Sequence, residues 1–325
     1  MKSFVTGATG FVGSHLVDRL IKEEHQVFCL VRKTSNTRWL NNKPVTLINE
    51  SIESEFVKDI LAKTDFVFNV AGVVKAKDYD SYYQGNVVPT RKLLEIISLV
   101  RPDLKRFVHI SSQAVCGPNP DDNPIDETYE PHPITSYGKT KLMAEKEVLK
   151  KSNEIKTVIL RPSAIFGPRD TEILVYFKTF LKGLNAVIGF TEKYLSLIYI
   201  EDFIDAIYKV AVSNLKSGEI FFVSSDKAYS WQNIGSVTSK VVGRRALKLR
   251  IPHWLVYTVG TISELYSLIS RKAVTLNLEK CKDITRKRWV CSNKKIKSVV
   301  GWNEQYSLEE AFKITIDWYK SMNWL

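Results

Sequence analysis

The sequence predicts an α/β protein in which a doubly wound parallel sheet carries helices on both faces and is followed by a smaller, mostly helical domain. Short apolar runs alternate with amphipathic stretches in the first half, a glycine-rich turn follows the first of these runs, and the pattern loosens after Gly167-Pro168. We expect a sheet domain over residues 1–166 and a substrate-binding or lid domain over 167–325, with some elements of the second returning to the sheet.

Apolar runs of four to six residues predict six strands of the sheet: Ser3–Thr6, Gln26–Val31, Val45–Ile48, Phe66–Val70, Arg106–Ser111 and Lys156–Arg161. Helical patterns lie between them, at Phe11–Glu23, Ser54–Lys63, Val87–Val100 and Ser136–Ser152. In the second domain we predict short strands at Ser196–Ile200 and Glu219–Val223, and helices at Leu174–Leu181, Asp202–Val212, Trp231–Val242, Pro252–Ser270 and Leu308–Met322. In such a sheet, ligands bind at the carboxyl ends of the strands.

The composition is that of a globular protein, with 44% hydrophobic and 25% charged residues among 325. The first six residues lead directly into the glycine turn, so we expect no signal peptide, and no apolar run is long enough to span a membrane. The four cysteines have no paired spacing, which indicates a reducing compartment and a cytoplasmic protein. The five histidines are scattered without ligand spacing and predict no metal site.

The net charge of +12 is concentrated in the last third, where residues 226–325 contain 18 Lys and Arg against 8 Asp and Glu. A solvated basic surface explains this excess most simply. An anionic substrate or contact with anionic lipid would also explain it. Arg286–Arg288 form a basic run beside Trp289, but no nucleic-acid-binding module accompanies the run, so we expect no nucleic-acid partner.

A glycine-rich turn, Gly7–Gly13, joins the first predicted strand to the first helix. Three glycines at this spacing permit a tight turn, close approach of a pyrophosphate and close packing of the helix on the strand. The loop residues Gly7, Thr9, Gly10, Phe11, Val12 and Gly13 therefore predict a dinucleotide site on a Rossmann fold.

The end of the second strand indicates which dinucleotide is bound. NAD sites place an acidic residue there, whereas this chain has Arg32, followed by Lys33 and Ser35. A guanidinium at Arg32 favours the 2′-phosphate of NADP. Stacking of Arg32 on adenine is the alternative, and it would allow NAD as well.

Tyr137 and Lys141 lie four residues apart on one face of a predicted helix. A neighbouring ammonium and a positive nicotinamide ring are expected to lower the pKa of Tyr137 toward the working range of a general base. The preceding strand ends at Ser111-Ser112, where Ser112 would bind a substrate oxygen or merely cap a turn. Such a Tyr/Lys pair also occurs by chance on helix surfaces, and its position after the glycine loop and this strand favours catalysis.

Together these motifs resemble the extended short-chain dehydrogenase/reductases of the NAD-dependent epimerase/dehydratase superfamily. The matching segments run nearly end to end: Thr6–Gly13, Ala71-Gly72, Asn86-Val87, Ser111–Gly117, Tyr137/Lys141, Arg161–Pro168, Tyr199–Asp202 and Gly301-Trp302. The resemblance implies that Tyr137 is the general acid/base, that Lys141 binds the nicotinamide ribose, and that Ser112 positions the substrate oxygen. It also implies a supporting role for Asn86 and cofactor contacts from Ser51, Ile52, Ala71, Gly72, Pro162 and Ser163.

Departures from the family pattern narrow the reaction. The dehydratases carry an Asp-Glu pair where this chain has Gln113 and Ala114, so dehydration is not expected. Ala164 stands where sugar-nucleotide enzymes tend to have an asparagine that contacts phosphate. Cys116 replaces a frequent tyrosine and is interpreted as a small packing residue, and Asn69 replaces a frequent histidine.

The remaining pattern resembles the branch that contains 3β-hydroxysteroid dehydrogenases and dihydroflavonol reductases, which share the Arg161–Pro168 motif and a long apolar helix like Pro252–Ser270. A lid helix facing the core is the simplest interpretation of that helix; lining an apolar pocket or touching a membrane surface is the alternative. The resemblance also implies a homodimer through the helices Val87–Val100 and Ser136–Ser152.

We therefore expect an NADP- or NAD-dependent oxidoreductase that interconverts a ketone and a secondary alcohol on a small apolar or carrier-linked substrate. A nucleotide-sugar 4-epimerase with tightly bound NAD shares the same Tyr/Lys chemistry and is the first alternative. A non-catalytic dinucleotide-sensing protein is the second, although such proteins usually lose the Tyr/Lys pair.

Overall fold

A computed structural model describes residues 1–270, 274 and 276–325, without the side chains of residues 268 and 269. The strands in chain order are β1 (Lys2–Thr6), β2 (Gln26–Leu30), β3 (Val45–Ile48), β4 (Phe66–Asn69), β5 (Arg106–Ile110), β6 (Thr157–Pro162), β7 (Ala164–Phe166), β8 (Leu184–Ile188), β9 (Tyr194–Tyr199), β10 (Glu219–Val223), β11 (Ala228–Ser230), β12 (Leu247–Ile251) and β13 (Arg288–Trp289). Residues 271–273 and 275 lie outside the described residues.

The helices in chain order are α1 (Phe11–Lys22), α2 (Glu55–Leu61), α3 (Tyr79–Asn86), α4 (Val88–Val100), α5 (Ser136–Lys150), α6 (Glu172–Leu181), α7 (Ile200–Val212), α8 (Trp231–Val242), α9 (His253–Ser270), α10 (Leu278–Thr285), α11 (Lys294–Val300) and α12 (Leu308–Ser321). A 3₁₀ turn spans Gln113–Val115. None of the described helices has the length and apolar character needed to cross a bilayer.

The main sheet contains seven parallel strands in the order β10-β6-β5-β4-β1-β2-β3. This order confirms the predicted α/β fold class. The chain winds outward from β1 to β3 on one side and from β4 to β6 on the other. The carboxyl ends of β1 and β4 therefore flank the crevice in which doubly wound sheets bind their ligands.

Alternating side chains bury both faces of the sheet. Phe4 belongs to a core that includes Leu93 of α4. The next residue, Val5, belongs to a second core, with Leu16 of α1 and Phe203 of α7. All five side chains are fully buried. Because successive residues of a strand point to opposite faces, this alternation fixes the sheet between two helical layers.

Two elements beyond residue 166 lie in the sheet layer. Strand β10 pairs with β6 in parallel, with Glu219 opposite Val158. Helix α7 packs against α1 and over β5 and β6. The sequence predicted both elements, but chain order alone did not place β10 as the seventh strand.

The remaining elements form a cover over one end of the sheet. Strand β9 pairs with β7, β11 and β13, and β8 pairs with β12. Strand β7 follows β6 after a single residue, Ser163, so the cover begins at the carboxyl edge of the sheet. Strands β7, β8, β11, β12 and β13 were not predicted from the sequence, since β7, β11 and β13 have only two or three residues and β8 and β12 include polar residues such as Asn185, Lys248 and Arg250.

Candidate active site

The glycine loop has the geometry of a phosphate-binding turn. Gly7 has φ +71°, and a Cβ there would lie 2.6 Å from the amide nitrogen of Ala71. A Cβ on Gly13 would clash with the Gly7 carbonyl oxygen. Gly10 is the N-cap of α1 and has an extended backbone. The backbone amides of the first helical residues, Phe11 and Val12, therefore have no hydrogen-bond acceptor within the helix. The turn thus presents free amides and a positive helix end to an anion.

Arg32 follows β2 at the outer side of this loop. Its backbone forms a tight turn with Ser35, whose hydroxyl accepts from the Arg32 amide at 3.1 Å, and the Arg32 side chain is exposed. Ser51 and Ile52 follow the neighbouring strand β3, with Ser51 exposed and Ile52 half-buried. These three predicted cofactor residues therefore lie at the ends of adjacent strands.

The loop after β4 connects the glycine turn to helix α5. The Ala71 amide donates to Thr6 Oγ1 at 3.2 Å. A Cβ on Gly72 would lie 3.8 Å from Lys141 Nζ. Asn86 Oδ1 accepts from the Val73 amide at 2.7 Å, and its Nδ2 donates to Thr140 Oγ1 at 3.1 Å. Asn86 therefore ties this loop to the helix that carries Tyr137 and Lys141, as the resemblance implied.

Asn69, which departs from the family pattern, has a structural role at the end of β4. Its Oδ1 accepts from Thr6 Oγ1 at 2.8 Å, and its Nδ2 donates to Thr90 Oγ1 at 3.0 Å. Nδ2 also lies 3.1 Å from Nδ1 of His109, whose pKa burial holds well below its usual value. The amide links β1, β4, β5 and α4 behind the cofactor crevice.

Lys141 is buried behind the crevice, with only 3% of its surface exposed. Its Nζ donates to the Ile110 carbonyl oxygen at 2.5 Å. Burial lowers the pKa of Lys141 to about 8, and the charge of Glu145 acts in the opposite direction. The ammonium has further protons beyond the one donated to Ile110, so it can bind another acceptor on the side of Gly72.

Tyr137 is half-buried at the amino end of α5, one helical turn before Lys141. Burial raises its pKa to about 12, while a hydrogen bond with Ser112 acts in the opposite direction. The expected lowering of the Tyr137 pKa depends on a nicotinamide ring beside the phenol and stays a prediction. Loss of water around the phenol outweighs the other effects, and the Lys141 ammonium is bonded to Ile110.

Ser112 both caps a turn and faces the site. Its Oγ accepts from the Ala114 amide at 3.1 Å, at the start of the 3₁₀ turn. Its hydroxyl also forms a hydrogen bond with Tyr137, so it lies where it could donate to a substrate oxygen held beside the phenol. The two interpretations of this serine from the sequence are compatible.

A cavity of about 590 Å³ opens between the sheet edge and the cover. Most of its lining area is apolar, although charged side chains, among them Lys193, Glu279 and Arg286, line it as well. The apolar lining includes Val74, Ile165, Ile188, Leu195, Trp231 and Trp289. Gln113, Ala114 and Ala164 also line it, so three of the five departures from the family pattern lie at this cavity.

Two buried polar groups in this wall have no partner among the described residues: Ser163 Oγ and Gln113 Nε2. Buried polar atoms are normally hydrogen-bonded, so each of these two is available to a bound ligand. Ser163 follows Pro162 at the end of β6, where the resemblance places the carboxamide of the cofactor. Together with the open glycine turn, an unpartnered Ser163 hydroxyl fits a bound nicotinamide dinucleotide.

A buried ion pair fixes the back of α5. Arg161 Nε and Nη2 donate to the two oxygens of Glu145, at 3.0 and 2.7 Å, and Arg161 Nη1 lies 3.4 Å from Cys116 Sγ. Burial raises the pKa of Cys116 to about 11, which suits packing and not nucleophilic attack. Glu145 is two turns after Tyr137, so the pair positions the helix.

Several cavity residues come from the cover and were not predicted as site residues. Glu279 of α10 lines the cavity and binds Ser136, the residue before Tyr137. Lys193 lines it as well; its Nζ donates to the Ile284 carbonyl at 2.7 Å, and burial lowers its pKa to about 8. No local sequence signal marks these residues, because they reach the site only through the tertiary fold.

Comparisons with known proteins agree with this geometry. The family model described as the NAD dependent epimerase/dehydratase family matches residues 3–224. A ceramide reductase of Caulobacter vibrioides is 26% identical over 326 residues, covering 99% of this chain and 95% of the relative. A UDP-glucose 4-epimerase of Vibrio cholerae is 26% identical over 340 residues, covering 98% and 95%.

Among solved structures, a UDP-glucose 4-epimerase from Thermotoga maritima superposes with a TM-score of 0.81. The two chains are 22% identical, and the match covers 99% of this chain and 100% of the other. At this identity the similarity establishes the fold alone.

Proposed function

This chain belongs to the NAD dependent epimerase/dehydratase family, and from that premise we propose that it is an oxidoreductase that interconverts a ketone and a secondary alcohol. The observation that carries the proposal is the arrangement of Tyr137 and Ser112 on a largely apolar cavity, with Gln113 and Ala114 beside them. One proton donor and one oxygen-binding hydroxyl suffice for carbonyl reduction. Expulsion of water would need additional acid and base groups at those two positions.

When bound, the nicotinamide ring supplies or accepts the hydride. Ser112 donates its hydroxyl proton in a hydrogen bond to the carbonyl oxygen and so positions it. Tyr137 transfers its phenolic proton to that oxygen as negative charge develops there. A pKa of about 12 keeps Tyr137 protonated at neutral pH, which suits the reductive direction. The Lys141 ammonium then stabilises the phenolate that remains.

NADP is the proposed dinucleotide. Arg32 carries an exposed guanidinium at the end of β2, with no carboxylate partner in the described part of the chain. A guanidinium forms planar, bidentate hydrogen bonds with phosphate oxygens. The adenosine ribose of NAD carries no 2′-phosphate and offers no comparable partner. Ser35, whose hydroxyl already binds the Arg32 amide, helps to hold the turn.

Apolar substrates fit the cavity best. The side chains that line the cavity include the indoles of Trp231 and Trp289 and the aliphatic groups of Ile165 and Ile188. Such walls bind hydrocarbon by removing it from water. The Caulobacter relative, named a ceramide reductase, acts on a lipid by its name and is compatible with this substrate class.

A nucleotide-sugar 4-epimerase is the second candidate, favoured by two cations. Lys193 and Arg286 both line the cavity, and neither has a carboxylate within 4 Å among the described residues. A diphosphate would pair with both charges. Ala164 weighs against this candidate, since its methyl group cannot bind phosphate.

The deciding experiment is a panel of stereodefined ketones and alcohols and two UDP-sugars, assayed with NADPH, NADP, NADH and NAD. We expect net oxidation or reduction of apolar substrates, a preference for the phosphorylated cofactor and no cofactor retained through purification. Protein that carries stoichiometric NAD and interconverts UDP-sugars without net redox change would establish the epimerase. Normal cofactor affinity without any turnover would favour a dinucleotide sensor.

A further inference from the structure

Helix α9 presents its apolar side to solvent. Six large side chains are exposed by between 39% and 68%: Trp254, Leu255, Val259, Ile262, Leu265 and Tyr266. At 3.6 residues per turn they fall within one arc of about 140°. We call this arc the α9 surface. The interpretation of α9 as a core-facing lid is therefore wrong for its apolar side.

The rotation of α9 is fixed by contacts on its opposite side. A Cβ on Gly260 would clash with Cys281 Sγ, which shows how closely α9 and α10 approach. Cys281 Sγ donates to the Val256 carbonyl at 3.3 Å, and Glu264 accepts from the Leu278 amide at 3.0 Å. Val256, Gly260 and Glu264 thus face the protein, and the six large apolar residues face away from it.

Further apolar side chains are exposed near the start of α9. His253 packs against Gly189, where a Cβ would lie 2.5 Å from His253 Nε2. The next residue along from Gly189 is Phe190, which is 68% exposed. On the adjoining strand pair, Leu247 lies opposite Leu184, and both are exposed. A soluble monomer rarely exposes so many large apolar groups in one region without a partner.

The charges around the α9 surface identify the partner. The only charged residue within α9 is Glu264, which is engaged with α10. Before the helix the chain carries Arg244, Arg245, Lys248 and Arg250 without any acidic residue, and the sequence continues after it with Arg271-Lys272. Basic residues that precede an apolar face with Trp and Tyr in it suit the interface of an anionic membrane.

A second copy of the chain fits this surface less well. In a two-fold symmetric contact the same patch meets itself, so the two sets of basic residues would be brought together. An anionic lipid surface instead neutralises them. The α9 surface also lies outside α10, whose Glu279, Asp283 and Ile284 line the cavity. Docking would therefore bring the cavity wall close to the lipid.

We propose that the α9 surface docks this protein on membranes that contain anionic lipid. Docking concerns binding alone and does not depend on the proposed reaction. If the proposed reaction also holds, the cavity beside the docked surface takes a membrane-resident carbonyl or alcohol.

Flotation of the full-length protein with vesicles tests the proposal without any substrate. We compare phosphatidylcholine vesicles with vesicles in which about a third of the lipid is phosphatidylglycerol. The variants are Trp254→Ser/Ile262→Ser, which removes apolar area, and Arg245→Gln/Lys248→Gln, which removes two exposed charges. Leu99→Ser is the matched control, because Leu99 is 83% exposed on α4, away from this surface.

We expect wild type and Leu99→Ser to float with the anionic vesicles and both double variants to bind at least about tenfold more weakly. Added salt should weaken wild-type binding. Equal flotation of all four proteins would overturn the proposal, as would a lack of wild-type binding to anionic vesicles. A concentration-dependent dimer in light scattering that Trp254→Ser/Ile262→Ser dissociates would overturn it in favour of a second copy. If the melting temperatures of the variants equal that of wild type, a loss of vesicle binding is due to the altered α9 surface or its basic flank and not to unfolding.

Discussion

Glu279 of α10 accepts hydrogen bonds from both the backbone amide and the hydroxyl of Ser136, the residue immediately before Tyr137. Its two carboxylate oxygens each lie 3.0 Å from the Ser136 nitrogen, and Oε1 lies 2.8 Å from Ser136 Oγ. The contact joins the cover to the first residue of α5. It therefore holds α10, which lines the cavity, next to the start of the helix that carries Tyr137.

The first prediction concerns this contact. Hydrogen bonds to a charged group contribute about 1.5–3 kcal/mol, so Glu279→Ala should raise KM for the carbonyl substrate about tenfold. The Kd of the dinucleotide should change less than about twofold, because the glycine loop lies on the sheet. Glu279→Gln keeps one acceptor oxygen, so its KM should lie between those of wild type and Glu279→Ala. Lys282→Ala, on the exposed side of α10, is the control. An unchanged KM in Glu279→Ala would show that the contact has no part in substrate binding.

The second prediction concerns pH. Reduction needs a proton on Tyr137 and a positive charge on Lys141, and the pKa values are about 12 and about 8. As pH rises, Lys141 is the first of the two to lose its proton. kcat/KM for reduction should therefore be level below about pH 8 and fall roughly tenfold per pH unit above it. A profile that stays level to pH 10, with cofactor binding measured at each pH, would exclude a need for the ammonium.

Much of this site could be predicted from the sequence because its determinants are local. The glycines of the loop lie within one turn, and Tyr137 and Lys141 lie four residues apart on one helix, so each motif can be recognised from its own spacing. The structure places Lys141 beside Gly72. Asn86 could be assigned through the resemblance, and its bond to Thr140 is present. The parallel strands were predicted for the same reason, since each is a short apolar run with a turn at its end.

What could not be predicted depends on how distant segments meet. No local sequence pattern indicates that β10 pairs with β6 or that Glu279 contacts Ser136. The raised pKa of Tyr137 follows from its loss of solvent, which is a property of the folded cavity. The orientation of helix α9 could not be predicted either, because the composition of an apolar helix does not indicate which of its sides packs against the protein.

The third prediction is that removing the Lys141 amine stabilises the fold but abolishes activity. Folding lowers the pKa of this buried amine from 10.5 to about 8, so its charge opposes folding at neutral pH. Lys141→Met should raise the unfolding free energy at pH 7 by on the order of 1–3 kcal/mol, while it abolishes turnover. Between about pH 8 and 10.5 the unfolded chain binds more protons than the folded one, so wild type gains stability there and the difference narrows. Calorimetry of both proteins at pH 7 and pH 10 measures this; a variant that melts below wild type at pH 7 would refute it.

The fourth prediction concerns cofactor choice. Arg32→Ala should raise the Kd of NADP at least about tenfold and change the Kd of NAD less than about twofold, because only NADP carries the phosphate that Arg32 would bind. Fluorescence titration with both dinucleotides measures the two constants. Lys146→Ala provides the control, since Lys146 is an exposed cation on α5. Equal weakening of both cofactors would instead indicate stacking of Arg32 on adenine.

The most direct test of the account is the paired measurement of turnover and dinucleotide affinity in Tyr137→Phe. Phenylalanine keeps the ring and its packing near Tyr82 but removes the proton that is transferred to the substrate oxygen. We expect kcat to fall by about 10²–10⁴ while the dinucleotide Kd stays within about twofold of wild type. Turnover within about tenfold of wild type would contradict the assignment of Tyr137 as the acid/base and, with it, the proposed reaction.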